Sequence, residues 1–135
     1  MAPRRSIRLL LVDSDPLMLD LLKISLKGRG YKLDTAGDGH EAMLAIEQQP
    51  PDLVIMELML PVLDGVSLLR WLHAEHGMDL PVLVLTALDR PGIYDTMHGL
   101  GVAGLVYKPV RRSQLLRQVR KVIDKPLPAV VAKAG

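Results

Sequence analysis

The stretch that most constrains this chain is Leu53-Val-Ile-Met56, an apolar run ending on Glu57. It is long enough for a strand buried on both faces of a parallel sheet, and it delivers a carboxylate to that strand's C-terminal end. Pro61 and Asp64-Gly65 then mark a loop, with Asp64 placed to cap the next helix. A lone acid at the mouth of a central strand of an open α/β sheet lies where such sheets bind ligands or do chemistry. Taken alone, the same acid reads equally well as a surface carboxylate.

The rest of the chain repeats the pattern. Ile7 to Val12 is an apolar strand interrupted by Arg8, and Asp13-Ser14-Asp15-Pro16 is an acidic turn with proline at a helix's first position. Leu17, Leu21 and Ile24 recur at helical spacing, with Met18, Leu22 and Leu26 widening the stripe, until Gly28-Arg29-Gly30. Tyr31 to Ala36 alternates like an edge strand. Asp38 can cap a helix carrying Ala42, Met43, Ala45 and Ile46, which stops before Pro50-Pro51.

After Glu57, Val66, Leu68, Leu69 and Leu72 line a helix to about His76. Leu80 to Leu85 is a strand ending on Thr86-Ala87, and Asp89 to Leu100 is a poor helix weakened by Pro91, Gly92 and Gly99. Val102 to Tyr107 is a fifth strand before Lys108-Pro109. Ser113 to Ile123 is an amphipathic helix whose outer side, with Arg117, Arg120 and Lys121, reads as a solvated face. Residues 1–6 form an N-terminal extension, 7–124 a single domain, and 125–135 a disordered tail or the start of a linker.

Five strands alternating with five helices predict a doubly wound parallel α/β sheet, with the flavodoxin-like order 2-1-3-4-5 expected. That order would bring Asp13, Glu57, Thr86 and Lys108 to one sheet edge, although nothing in their spacing does so. Composition narrows the chemistry. The chain has no Cys and only four scattered His, so disulfides, thiolate metal sites and a zinc-like spacing are excluded. At 49% hydrophobic and 3% aromatic with no Phe, its core must be aliphatic. A net charge of +2, without a basic block interleaved with aromatics, argues against direct nucleic-acid binding. No run approaches a membrane span, and the start is too short in apolar residues for a signal peptide, so the expected location is the cytoplasm.

Two acids, a hydroxyl and a lysine at one edge are parts of a phosphoryl-handling site. Leu9-Leu-Leu-Val-Asp13-Ser-Asp-Pro16, Pro51 to Glu57 with Pro61-Val-Leu-Asp64-Gly65, Pro81 to Ala87 and Tyr107-Lys108-Pro109 occur in order. Together they resemble the receiver domain of bacterial two-component response regulators over residues 7 to about 124. The resemblance implies an aspartate after the third strand that accepts a phosphoryl group, and magnesium held by two acids after the first strand, the acceptor and a backbone carbonyl. It also implies a lysine and a Ser/Thr on the phosphoryl group, and an aromatic switch residue. Charge neutralisation and positioning are what phosphoryl transfer requires, and magnesium takes hard oxygen ligands.

The chain departs from that pattern where it matters. Glu57 stands at the acceptor position and Ser14 at the second acid of the metal pair. Asp13 keeps the first place, and Asp15 reads as a helix cap. The Met59 carbonyl is the implied backbone ligand. Leu105 holds the aromatic position; Tyr107, two residues on and so on the same strand face, is a displaced substitute. Glu extends its carboxylate by one methylene, about 1.3 Å, and a shift of that order can cost roughly 100-fold in rate. Glu57 would then imitate phosphoaspartate permanently but weakly, with about −1 charge against roughly −2.

The expectation is an atypical, non-enzymatic receiver that is not phosphorylated, with no cofactor or weakly bound magnesium. It would act as a protein-interaction or dimerisation module through the 89–124 face, with a histidine kinase as a candidate partner and no membrane contact. The alternative is a working phosphoacceptor in a phosphorelay that uses magnesium and tolerates Glu57. A flavin binder is disfavoured, because the loops after the first and third strands lack the Ser/Thr/Gly richness and aromatics that would hold the ring.

Overall fold

The computed structural model describes residues 6–76 and 79–124, without the side chain of His76. The tail over 125–135 and most of the N-terminal extension lie outside the described residues. The strands are β1 (Arg8–Val12), β2 (Lys32–Ala36), β3 (Leu53–Met56), β4 (Val82–Thr86) and β5 (Gly104–Tyr107). The helices are α1 (Pro16–Leu26), α2 (Gly39–Gln48), α3 (Gly65–His76), α4 (Ile93–Gly99) and α5 (Arg112–Ile123). All strand pairs are parallel and the order is β2-β1-β3-β4-β5, the predicted doubly wound sheet.

Strand alternation divides the core in two. Leu10, Val12, Val54, Met56, Val82 and Val84 face α2, α3 and α4. Leu9, Leu11, Leu53, Ile55, Leu83 and Leu85 face α1 and α5. Both faces of the central strands are covered, which is why their sequences are unbroken apolar runs. The predicted caps form: Asp15 accepts from the Leu17 amide (3.0 Å), Asp38 from Glu41 (2.7 Å) and Asp64 from Ser67 (2.8 Å).

Two local expectations need correction. On α1 the residues that pack inward are Leu22 and Leu26, with Met18 and Leu19 beside them; Leu17, Leu21 and Ile24 face outward. The helix is apolar over so much of its circumference that spacing alone cannot choose the buried side. The helix expected over 89–100 is shorter, Ile93–Gly99, because Pro91 and Gly92 form its entry and Gly92 takes a left-handed φ of 85° without a side-chain cap.

The loop after β3 is held against α2 at close range. A Cβ at Gly39 would run into the Leu63 carbonyl, and one at Gly65 would lie 2.6 Å from the Leu58 Cα. Between them, the Leu63 amide donates to the Pro61 carbonyl (2.8 Å) across Val62, whose φ is 70°. This is a tight three-residue turn centred on a β-branched residue at positive φ, a costly backbone conformation.

Candidate functional site

The sheet register places the site residues. The Asp13 amide donates to the Ala36 carbonyl of β2 (3.1 Å), the Glu57 amide to Val12 of β1 (3.0 Å), and the Lys108 amide to Thr86 of β4 (2.8 Å). Each residue just past a strand is thus tied to the last carbonyl of the neighbouring strand. Residues as far as 95 positions apart in sequence therefore share one edge. Asp13, Glu57 and Thr86 are the buried polar residues of the described chain.

The Lys108 ammonium joins the two acids, donating to Asp13 Oδ2 at 2.7 Å and to Glu57 Oε1 at 2.9 Å. Asp13 Oδ1 accepts from the Asp15 amide (2.9 Å). Glu57 Oε2 turns back onto its own backbone, accepting from the Leu58 amide (2.6 Å) and more weakly from Met59 (3.3 Å). The extra methylene of Glu is taken up in this curl. Thr86 Oγ1 accepts from the Leu88 amide (3.0 Å), and its hydroxyl lies beside Glu57.

Burial pushes the Glu57 carboxyl up, but the Thr86 hydroxyl, Lys108 and the Met59 amide outweigh it and hold it below the usual carboxylate range. Burial likewise pulls Lys108 down, while its bonds to Asp13 and Glu57 outweigh that and hold it above the usual lysine value. The group is therefore two carboxylates neutralised in part by one ammonium.

This donor set departs from the one the resemblance implies for magnesium. Both carboxylates already hold Lys108, Ser14 offers an exposed hydroxyl, and the Asp15 carboxylate caps α1. Among the described residues no group of three or more His, Cys, Asp or Glu could hold a metal ion. Met59 joins the site through its amide.

Leu105 is half-buried and packs on the α2–α4 side of the sheet. Tyr107 lies in register with Thr86 at the strand end and is exposed. Sequence reasoning missed the two backbone amides on Glu57, which carry no side-chain signature. It also missed Tyr94 and His98, which stack on the outer face of α4 with centroids 6.2 Å apart; their four-residue spacing was the available signal.

Residues 9–120 match the family model described as the response regulator receiver domain. The chain is 37% identical over 115 residues to the DNA-binding response regulator MtrA of Mycolicibacterium smegmatis, covering 84% of this chain and 49% of that protein. It is 36% identical over 124 residues to the response regulator MprA of Mycolicibacterium vanbaalenii, covering 90% of this chain and 52% of that one. The chain thus spans about half the length of the curated relatives it matches. Among solved structures, a CheY-like receiver domain protein from Methanospirillum hungatei superposes with a TM-score of 0.83 at 25% identity, over 90% of this chain and 96% of that one. The receiver domain of the Francisella response regulator 1452 gives 0.81 at 27% identity, over 88% and 98%.

Proposed function

The chain belongs to the response regulator receiver domain family, and from that premise we propose that it is an atypical receiver whose signalling does not run through phosphorylation of Glu57. The observation that carries this reading is the engagement of Glu57. One oxygen holds Lys108, and the other takes two backbone amides. Those partners are charge-assisted donors around a fixed negative charge, as they would be around a phosphoryl group, although Glu57 supplies only about −1. A carboxylate so occupied, and carried on a longer side chain, is poorly placed as a nucleophile.

In this reading the domain uses no cofactor, or magnesium only weakly, because Ser14 has replaced an acid and Lys108 already satisfies Asp13. It performs no catalysis of its own. It presents the 89–124 face to a protein partner, where the Tyr94–His98 pair, Tyr107, Arg117 and Lys121 are exposed. A histidine kinase remains a candidate partner, and the cytoplasm is the compartment that fits such a role. No described helix is long and apolar enough to cross a membrane.

The test is intact-mass spectrometry after incubation with magnesium and a small acyl phosphate. No phosphate adduct is expected, and calorimetry should find magnesium binding weaker than in a receiver with two acids after its first strand. A stable adduct on Glu57 would instead assign a working phosphoacceptor.

A further inference from the structure

The outer face of α1 takes no part in the site. Leu17, Leu21 and Ile24 are 71%, 58% and 65% exposed, and they form one row on the side opposite Leu22 and Leu26. On one flank this row runs into an apolar hollow between α1 and the start of α5, walled by Met18, Leu22, Pro109, Val110 and Leu115. A contiguous apolar patch of this kind on a small soluble domain marks an interaction surface.

The other flank shows what covers it. Asp20 and Lys27 are both exposed and, seven residues apart, lie two turns from each other on the same side of the row. Neither is in an ion pair among the described residues. Two helices related by a two-fold axis perpendicular to them run antiparallel, and like flanks meet with their ends reversed. Asp20 of one copy then lies toward Lys27 of the other, and the reciprocal pair forms by symmetry. A parallel pairing would set this flank against Met18 and Ser25 and leave both charges unmatched.

We propose that α1 is a self-association face, on which two copies of this chain pack antiparallel with Leu17, Leu21 and Ile24 in the seam and Asp20–Lys27 pairs along one edge. An acid and a base at reciprocal ends of an apolar row is what a self-complementary contact requires; a partner of unrelated sequence requires no such symmetry. One face of an 11-residue helix offers far fewer residues than the about 20–30 a side of a standard stable interface, so the dimer is weak and concentration-dependent. The 89–124 face stays open for a different protein.

Sedimentation equilibrium over a concentration series tests this. The unmodified chain should show a monomer–dimer equilibrium, and Leu21→Lys should abolish it. Asp20→Lys and Lys27→Asp should each weaken it by about tenfold, since each turns two attractive contacts repulsive. An equimolar mixture of these two variants should associate about as well as the unmodified chain, because the mixed dimer sets two lysines against two aspartates. All these positions are exposed, and circular dichroism checks that each variant folds. A chain that stays monomeric to about 1 mM, a dimer indifferent to Leu21→Lys, or a mixture no better than either variant alone would overturn the proposal. So would a dimer broken by Tyr94→Ala, which would move self-association to α4. None of these readouts depends on whether Glu57 accepts phosphate.

Discussion

The Lys108 ammonium lies 2.9 Å from Glu57 Oε1, on a carboxylate whose second oxygen is already held by the Leu58 and Met59 amides. This contact joins β3 to β5 across the intervening β4 and ties the loop after β3 to the sheet edge. Its strength depends on burial: Glu57 is almost wholly enclosed, while the lysine keeps 20% of its side chain exposed.

Glu57→Gln should therefore destabilise the domain by about 1–3 kcal/mol in urea denaturation. Breaking a fully buried pair costs about 3–5 kcal/mol, but Lys108 is partly solvated and retains Asp13. An unchanged urea midpoint would show that the charge on Glu57 contributes nothing to the fold.

The same pair sets a pH dependence. Glu57 is lowered in the folded state, so it binds fewer protons there than in the unfolded chain. Its stabilisation is complete above the unfolded value of about 4 and is lost as pH falls through the folded value. Lys108 is raised, so its share is complete below the unfolded value of about 10.4 and is lost as pH rises through its folded value. Unfolding free energies measured from pH 7 down to pH 3 should fall more steeply for the unmodified chain than for Glu57→Gln. Parallel curves would contradict the assignment.

Restoring two groups should restore chemistry if their loss is what silenced the site. Ser14→Asp returns an acid after β1, and Glu57→Asp draws the carboxylate back by one methylene. Either change alone should do little, and the double variant should take phosphate from a small acyl phosphate in the presence of magnesium. The signature is non-additivity between the two positions by intact mass. A double variant that folds and binds magnesium but takes no phosphate would point to further drift in the loop around Met59.

Val62 offers a test away from the charges. At a φ of 70° and 82% exposed, its side chain gives up favourable backbone geometry and gains little packing. Strain of about 1–3 kcal/mol is typical of such positions, against about 0.5–1 kcal/mol for the added freedom of glycine in the unfolded chain. Val62→Gly should stabilise the protein by about 1 kcal/mol in urea denaturation. A loss of stability would show that Val62 earns its place through contacts.

Much of the fold was legible residue by residue. The aliphatic runs Leu9–Val12, Leu53–Met56 and Val82–Leu85 read as strands covered on both faces, and Asp15, Asp38 and Asp64 announced helix starts because their side chains satisfy first-turn amides. Strand ends carrying Asp13, Glu57, Thr86 and Lys108 were readable for the same reason: local hydrogen bonding and periodicity are short-range properties that neighbouring residues determine.

What the tertiary structure alone decided is long-range or backbone in origin. Packing on β1 chose Leu22 and Leu26 as the buried side of α1, where the helix by itself offered two apolar sides. The sheet order set Lys108 between Asp13 and Glu57, which no spacing encodes. The curl of Glu57 onto the Leu58 and Met59 amides depends on where the loop after β3 goes, and backbone donors have no residue type to betray them. Sequence alone therefore determined which chemical groups reach the sheet edge, while the packed chain decided which of them touch, because contact between distant residues is a property of the whole sheet.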